Sequence, residues 1–171
     1  LYSLFGGINF INVPVQPNWD SQEAMLGYFN SIDNRFEAQE VLRFLAQCTD
    51  KEQYGDYMAI VLLDEMNLAH VELYFAEFLS KLEERRGKVK DKVPSVEVKL
   101  GGGLEPYRLK MYRNVLWTGT MNQDETTKSL SDKVLDRGIV INFPRPTSLR
   151  SRTKMKDKEQ YRNRVLLQYS T

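Results

Sequence analysis

The sequence predicts an α/β domain, a parallel sheet flanked by helices with an inserted β-hairpin. Three observations lead there. Strand-length apolar runs alternate with helical patterns in the order strand, helix, strand, helix, strand, helix, strand, which points to a parallel sheet. Two of the runs, in MAIVLLDE at 58–65 and NVLWTG at 114–119, read as buried strands that end in polar residues. Between them, residues 93–112 alternate apolar with charged side chains, as a two-stranded hairpin with one wet face does.

In chain order, Ile8 to Val15 reads as a buried strand with Pro14 near its end. Pro17 to Ser21 is a turn, and Asp20 or Ser21 can cap a short helix over Glu23 to Tyr28, which Gly27 weakens. Asn30 to Asn34 is turn-like. Phe36 to Cys48 reads as a helix, with Val41, Leu42, Phe44 and Leu45 forming its apolar stripe, and Thr49 to Tyr57 as a charged loop. After the 58–63 strand, Asn67 can cap a helix from Leu68 to Arg86, whose Val71, Phe75, Phe78 and Leu82 recur at spacings of four, three and four.

Gly87 to Lys92 is a basic turn. In the hairpin, Val96, Val98 and Leu100 form one arm, Tyr107, Leu109 and Met111 the other, and Gly101-Gly102-Gly103 breaks the run between them. After the 114–119 strand, Ser129 to Arg137 reads as a helix with Leu130, Val134 and Leu135 inward and Gly138 as its C-cap. Ile139 to Phe143 predicts a fourth strand, stopped by Pro144 and Pro146. The remainder is basic, with a helix expected over Asp157 to Tyr169.

Length and composition bound the function. At 171 residues the chain suits one domain with a real core. No run approaches the ~20 apolar residues that span a bilayer. One cysteine, Cys48, excludes an internal disulfide and a cysteine-based zinc site; one histidine, His70, excludes a multi-histidine metal centre. Cys48 is expected as a packed thiol and His70 as a helix-surface residue. An intracellular, cytoplasmic protein fits these features. The chain begins without an initiator Met and reads as a fragment. Its net charge of +1 hides a basic run from Arg145 to Arg164, which suits either nucleic acid or a solvated helix face.

The chemistry concentrates at two strand ends. Asp64 and Glu65 close the first buried strand, and ligands bind at the C-terminal edge of open α/β sheets. In nucleotide hydrolases a carboxylate there holds Mg²⁺ and a neighbouring polar group positions the attacking water. A solvated acidic turn gives the same residues. Asn122, just past the second buried strand, offers an amide that can bond a γ-phosphate and a lytic water without adding charge. Asn is equally at home in a turn or a helix cap. The three glycines at 101–103 are not a phosphate loop, because no helix with Lys-Ser or Lys-Thr follows them.

The order of these pieces resembles the AAA+ family of ring-forming nucleoside-triphosphatases. Met58 to Glu65 looks like its Walker B strand, Asn122 like sensor 1, and Arg137 stands where the family places its arginine finger. LLDEMNLAHVELYFAEFLSKLE, followed by WTGTMNQDETTKSLSDKVLDRGIVINF, is similar to the McrB branch, the nucleotide-driven motor subunit of modified-cytosine restriction systems. The resemblance covers about residues 8–146. It implies a partial AAA+ core over 1–146, with the 93–112 hairpin inserted, and the start of a helical lid or a C-terminal helix over 147–171.

The sequence departs from the family in lacking any G-x-x-x-x-G-K-[ST] loop, and Leu68 stands where the branch often has Arg. The resemblance implies that this loop lies upstream of Leu1. The fragment alone would then be inactive.

By the resemblance, Asp64 holds Mg²⁺ through its water shell, Glu65 orients and polarises the lytic water, Asn122 reads the γ-phosphate of ATP or GTP and helps to align that water, and Arg137 reaches a neighbouring subunit. An arginine at that place also suits the C-terminus of a helix, where a cation complements the macrodipole. Implied partners are copies of the chain in a homo-oligomeric ring, a nuclease subunit, and DNA. Lys90, Lys92, Lys99, Arg108, Lys110 and Arg113 make the hairpin basic, suiting DNA, an acidic segment or plain solvent. Two other functions compete, a non-hydrolysing interaction module of the same fold and a chaperone-type remodeller of protein complexes.

Overall fold

A run of six residues with hardly a polar atom cannot sit at a solvated edge, and Ala59–Asp64 does not. In the computed structural model, which describes residues 9–50, 57–86, 93–122 and 127–143, it is the middle strand (β4) of a three-stranded sheet. β1 (Asn9–Pro14) pairs with it in parallel on one side and β7 (Val115–Gly119) on the other. Ile11, Val61 and Trp117 stand in register across the three strands, and so do Val13, Leu63 and Gly119. Paired residues share a face, so the core side of the sheet is Ile11, Val13, Ala59, Val61, Leu63, Val115 and Trp117. On the opposite face Phe10 and Leu116, from the two outer strands, stay 42% and 41% exposed.

Helices flank the sheet. α1 (Gln22–Leu26) buries Met25 and Leu26, and α2 (Glu40–Cys48) buries Val41, Leu42, Leu45 and Cys48. After β4 the chain makes a 3₁₀ turn (Met66–Leu68), then α3 (Val71–Tyr74) and α4 (Ala76–Glu84). Phe75 and Phe78 stack at 5.2 Å between centroids, and both meet Trp117 edge-on at 4.9 and 5.0 Å. This triad fastens α4 to β7.

β5 (Ser95–Val98) and β6 (Tyr107–Lys110) pair antiparallel, with Val96 opposite Leu109 and both buried. The expected wet face carries an exposed Arg108–Glu97 ion pair at 3.6 Å. α5 (Asp132–Leu135) follows β7.

Several expectations need correction. The Glu23–Tyr28 helix ends at Leu26, and Gly27–Asn30 is a strand (β2) paired with Arg35–Ala38 (β3). Gly27 makes this switch possible: its φ of 132° suits only glycine, and a Cβ would collide with the carbonyl of Glu37. The next helix therefore starts at Glu40 rather than Phe36.

The Leu68–Arg86 helix is broken, because Phe75 has left helical geometry (φ −121°, ψ 1°). Its ring stands in the triad, so packing has overridden a continuous helical pattern. The Ser129–Arg137 helix shortens to α5.

The fourth strand is absent among the described residues. Ile139–Phe143 is unpaired and open, with Ile139 95% and Phe143 85% exposed. A β-branched run becomes a strand only where an edge accepts its hydrogen bonds, and no described strand does. The predicted helix over 157–169, the basic run from Arg145 and the lid over 147–171 lie outside the described residues.

Phe78 is fully buried at the centre of the triad. Phe78→Ala is expected to lower the unfolding free energy by about 3–5 kcal/mol, read by chemical denaturation. A loss below about 1 kcal/mol would show that α4 is not held to the sheet by this cluster.

Candidate functional site

The parallel register sets what meets at the C-terminal rim. Leu63 lies opposite Gly119, so the residues just past each partner, Asp64 and Thr120, become neighbours. The ladder continues one step further: Thr120 N–H donates to the Leu63 carbonyl at 3.0 Å and Met66 N–H to the Thr120 carbonyl at 2.9 Å. The Thr120 hydroxyl donates to Asp64 Oδ1 at 2.6 Å and accepts from Glu65 N–H at 2.8 Å. On the other side of β4, Val15 N–H holds the Asp64 carbonyl at 3.0 Å.

Glu65 turns the chain out of the strand in the left-handed region, at φ 53° and ψ 46°. This conformation costs a non-glycine residue about 1 kcal/mol and tends to persist where surrounding contacts impose it. Here the contacts are visible. The amide on each side of the kink is bonded to Thr120, and the Met66 carbonyl accepts from the fully buried Tyr74 hydroxyl at 2.8 Å. Burial, with the Glu72 charge adding to it, pushes the Tyr74 phenol above its usual range, so it remains a donor. The Met66 side chain lies over Gly119, where any Cβ would collide with its sulfur.

Asn122 completes the group. Its Nδ2 donates to Glu65 Oε1 at 3.1 Å. Its backbone carbonyl is held by Asn67 Nδ2 at 2.8 Å and by the Thr127 hydroxyl at 2.9 Å. Asn67 is buried, and it also clasps Lys128 through two bonds, Asn67 Nδ2 to the Lys128 carbonyl at 3.2 Å and Lys128 N–H to the Asn67 carbonyl at 2.8 Å. Asn67 is therefore not the cap of the next helix. His70 holds that position and is exposed. Asp64 is half-buried, and Glu65 and Asn122 are exposed, so the rim is open to a ligand.

Arg137 lies elsewhere. Its Nε pairs with Glu83 Oε2 at 2.7 Å, and its carbonyl accepts from Arg86 Nη2 at 3.3 Å. The adjacent Arg85 bonds the Tyr112 and Val115 carbonyls, at the start of β7. Arg137 is thus grouped with the N-terminal ends of the strands, away from Asp64, Glu65 and Asn122. Cys48 is a packed thiol, pushed up to about 11 by burial, which leaves it unreactive at neutral pH.

Two contacts have no clear trace in the sequence. The Thr120 hydroxyl acquires partners only through the register. The Glu72 carboxylate accepts the Ser131 amide at 3.1 Å and so anchors the start of α5 to α3. Desolvation raises the Glu72 carboxyl, but hydrogen bonding from Ser131 and its own amide, with His70 nearby, outweighs it and holds it below the usual carboxylate range. The Ser131 hydroxyl itself has no bond of good geometry, so the amide is the firm contact. Among the described residues no three His, Cys, Asp or Glu side chains converge to form a complete metal cage.

Two outcomes follow from this geometry. Glu65→Asn, which tolerates the left-handed region better, is expected to exceed Glu65→Ala, which removes the same carboxylate, by up to about 1 kcal/mol in unfolding free energy; equal stability of the two variants would mean that Glu65 is not strained. Because the folded-state pKa of Glu72 is lowered, its contribution is complete above about pH 4.5 and disappears as pH falls through the lowered value. Glu72→Gln is then expected to be less stable at pH 7 by under about 1 kcal/mol and to converge with the parent at strongly acid pH. Parallel pH–stability curves would remove that assignment.

No family model and no curated protein matches this chain.

Proposed function

We propose that this chain is the core of an AAA+ motor domain that hydrolyses a nucleoside triphosphate, ATP or GTP, in a McrB-like DNA restriction or defence complex. The observation that supports this best is the Asn122–Glu65 hydrogen bond at 3.1 Å, made beside Asp64 at the C-terminal rim of a parallel sheet. A solvated acidic turn has no need of an amide delivered from the neighbouring strand.

The donor set suits Mg²⁺. One Asp64 oxygen is taken by Thr120, and the other has no hydrogen bond among the described residues. Mg²⁺ commonly uses one or two protein carboxylates and completes its shell with water and phosphate, so an incomplete cage is what this chemistry needs. Bound there, the ion would neutralise charge on the β- and γ-phosphate oxygens.

The chain's own residues do the rest. Glu65 accepts a proton of the water that attacks the terminal phosphorus, while the bridging oxygen leaves with the diphosphate. Asn122 has two amide protons; one fixes Glu65 and the other is free for a phosphate oxygen or the water. Arg137 exchanges Glu83 for the phosphates of a neighbouring subunit, which ties turnover to a homo-oligomeric ring. A nuclease subunit and DNA are the proposed partners and the cytoplasm the proposed location. Among the described residues no helix is long and apolar enough to cross a membrane.

The test is ATP and GTP hydrolysis by the full-length protein. Glu65→Gln is expected to lower kcat at least about 100-fold with nucleotide binding retained. Arg137→Ala is expected to lose about 10³-fold in the assembled state, whereas Glu83→Ala keeps turnover. Equal losses in Arg137→Ala and Glu83→Ala would reduce Arg137 to a structural ion pair. Absence of hydrolysis in the parent would favour the non-hydrolysing module.

A further inference from the structure

We propose that Thr120 is a positioning residue for the Asp64–Glu65 pair, setting the cation-binding oxygen and the water-polarising carboxylate through one hydroxyl. This rests on the hydrolase reading above.

A threonine hydroxyl has one proton and two lone pairs. Here the proton goes to Asp64 Oδ1 at 2.6 Å, within the short range of a charge-assisted O–H···O⁻ bond. A lone pair receives Glu65 N–H at 2.8 Å. Both partners are on β4 and the residue just after it, while the hydroxyl arrives from the residue just past β7, so the group is a clasp between the two strand ends placed at the chemistry.

The clasp has two consequences. It commits one lone pair of Asp64 Oδ1 and holds the carboxylate plane, leaving the second oxygen, which has no hydrogen bond among the described residues, open to a cation or its water shell. It also satisfies the Glu65 amide just where the left-handed kink takes it out of the strand. The backbone bonds on either side, Thr120 N–H to Leu63 and Met66 N–H to Thr120, hold Thr120 itself. Its β-branched side chain has few χ1 states, so the hydroxyl is aimed before any ligand arrives. A merely structural Thr120 would close the strand ends, and its loss would change stability without changing the cation requirement.

The experiment compares Thr120→Val, Thr120→Ser and Glu65→Gln in the full-length protein, measuring kcat at saturating nucleotide as a function of Mg²⁺ concentration, with a thermal melt of each. Valine keeps the shape and loses both bonds; serine keeps the hydroxyl. Thr120→Val is expected to raise the Mg²⁺ concentration for half-maximal turnover about 10- to 100-fold, the range of one hydrogen bond to a charged group, and to lower kcat. Thr120→Ser is expected to return both to within about threefold of the parent.

A folded Thr120→Val with the parent's Mg²⁺ dependence overturns the proposal, and so does a serine variant as impaired as the valine one. If Thr120→Val does not fold, Thr120→Ala, which adds no methyl at the oxygen's place, is read in the same way against serine. Loss of turnover in Glu65→Gln with no effect of Thr120→Val defeats this inference alone. Parent-like turnover in Glu65→Gln defeats the hydrolase reading beneath it.

Discussion

The parallel pairing of β4 with β7 is the constraint on which the rest depends. It is a matter of register rather than affinity. With Leu63 opposite Gly119, Thr120 reaches Asp64 and Asn122 reaches Glu65. A slip of one residue would turn every β7 side chain to the other face, sending Trp117 away from Phe75 and Phe78. The same register that buries the aromatic triad therefore builds the rim. Core and site cannot be varied independently here.

The rim is cross-linked by hydrogen bonds although it is open. Glu65 sits in a backbone conformation that a non-glycine residue disfavours; Thr120 across the strand and Tyr74 from beneath bond the backbone at the kink, and Asn122, from the segment past β7, bonds its carboxylate. Asn67 extends this support outward by holding the Asn122 and Lys128 carbonyls. Such over-determination keeps a carboxylate at a set angle in the absence of any ligand. It is the arrangement expected where orientation matters more than local stability.

Charge is divided between the two ends of the sheet. The C-terminal rim presents Asp64 and Glu65, with an amide and a hydroxyl between them. Arg137 is at the other end, neutralised by Glu83. One copy of the chain thus separates its acidic site from the cation that the family resemblance pairs with it. In the proposed ring a neighbouring copy brings them together. The apolar Phe10, Leu116, Ile139 and Phe143 remain exposed, so this set of residues does not by itself cover all of its hydrophobic surface.

Local pattern was enough for some of this. The unbroken apolar run of β4, the alternation of β5 and β6, and the stripe of α2 are written in residue order, because strand and helix periods depend on neighbours in sequence. The carboxylates at 64 and 65 and the amide at 122 were recognisable by where their strands end. Other features were decided only in three dimensions. Gly27–Asn30 became a strand because Arg35–Ala38 lies beside it. The helix broke at Phe75 because its ring was needed against Trp117. Ile139–Phe143 has strand composition and no described edge to pair with. The Thr120 clasp and the Asn67 tether join residues more than fifty positions apart. No local rule sees such contacts, since they depend on which strands become neighbours and in what register.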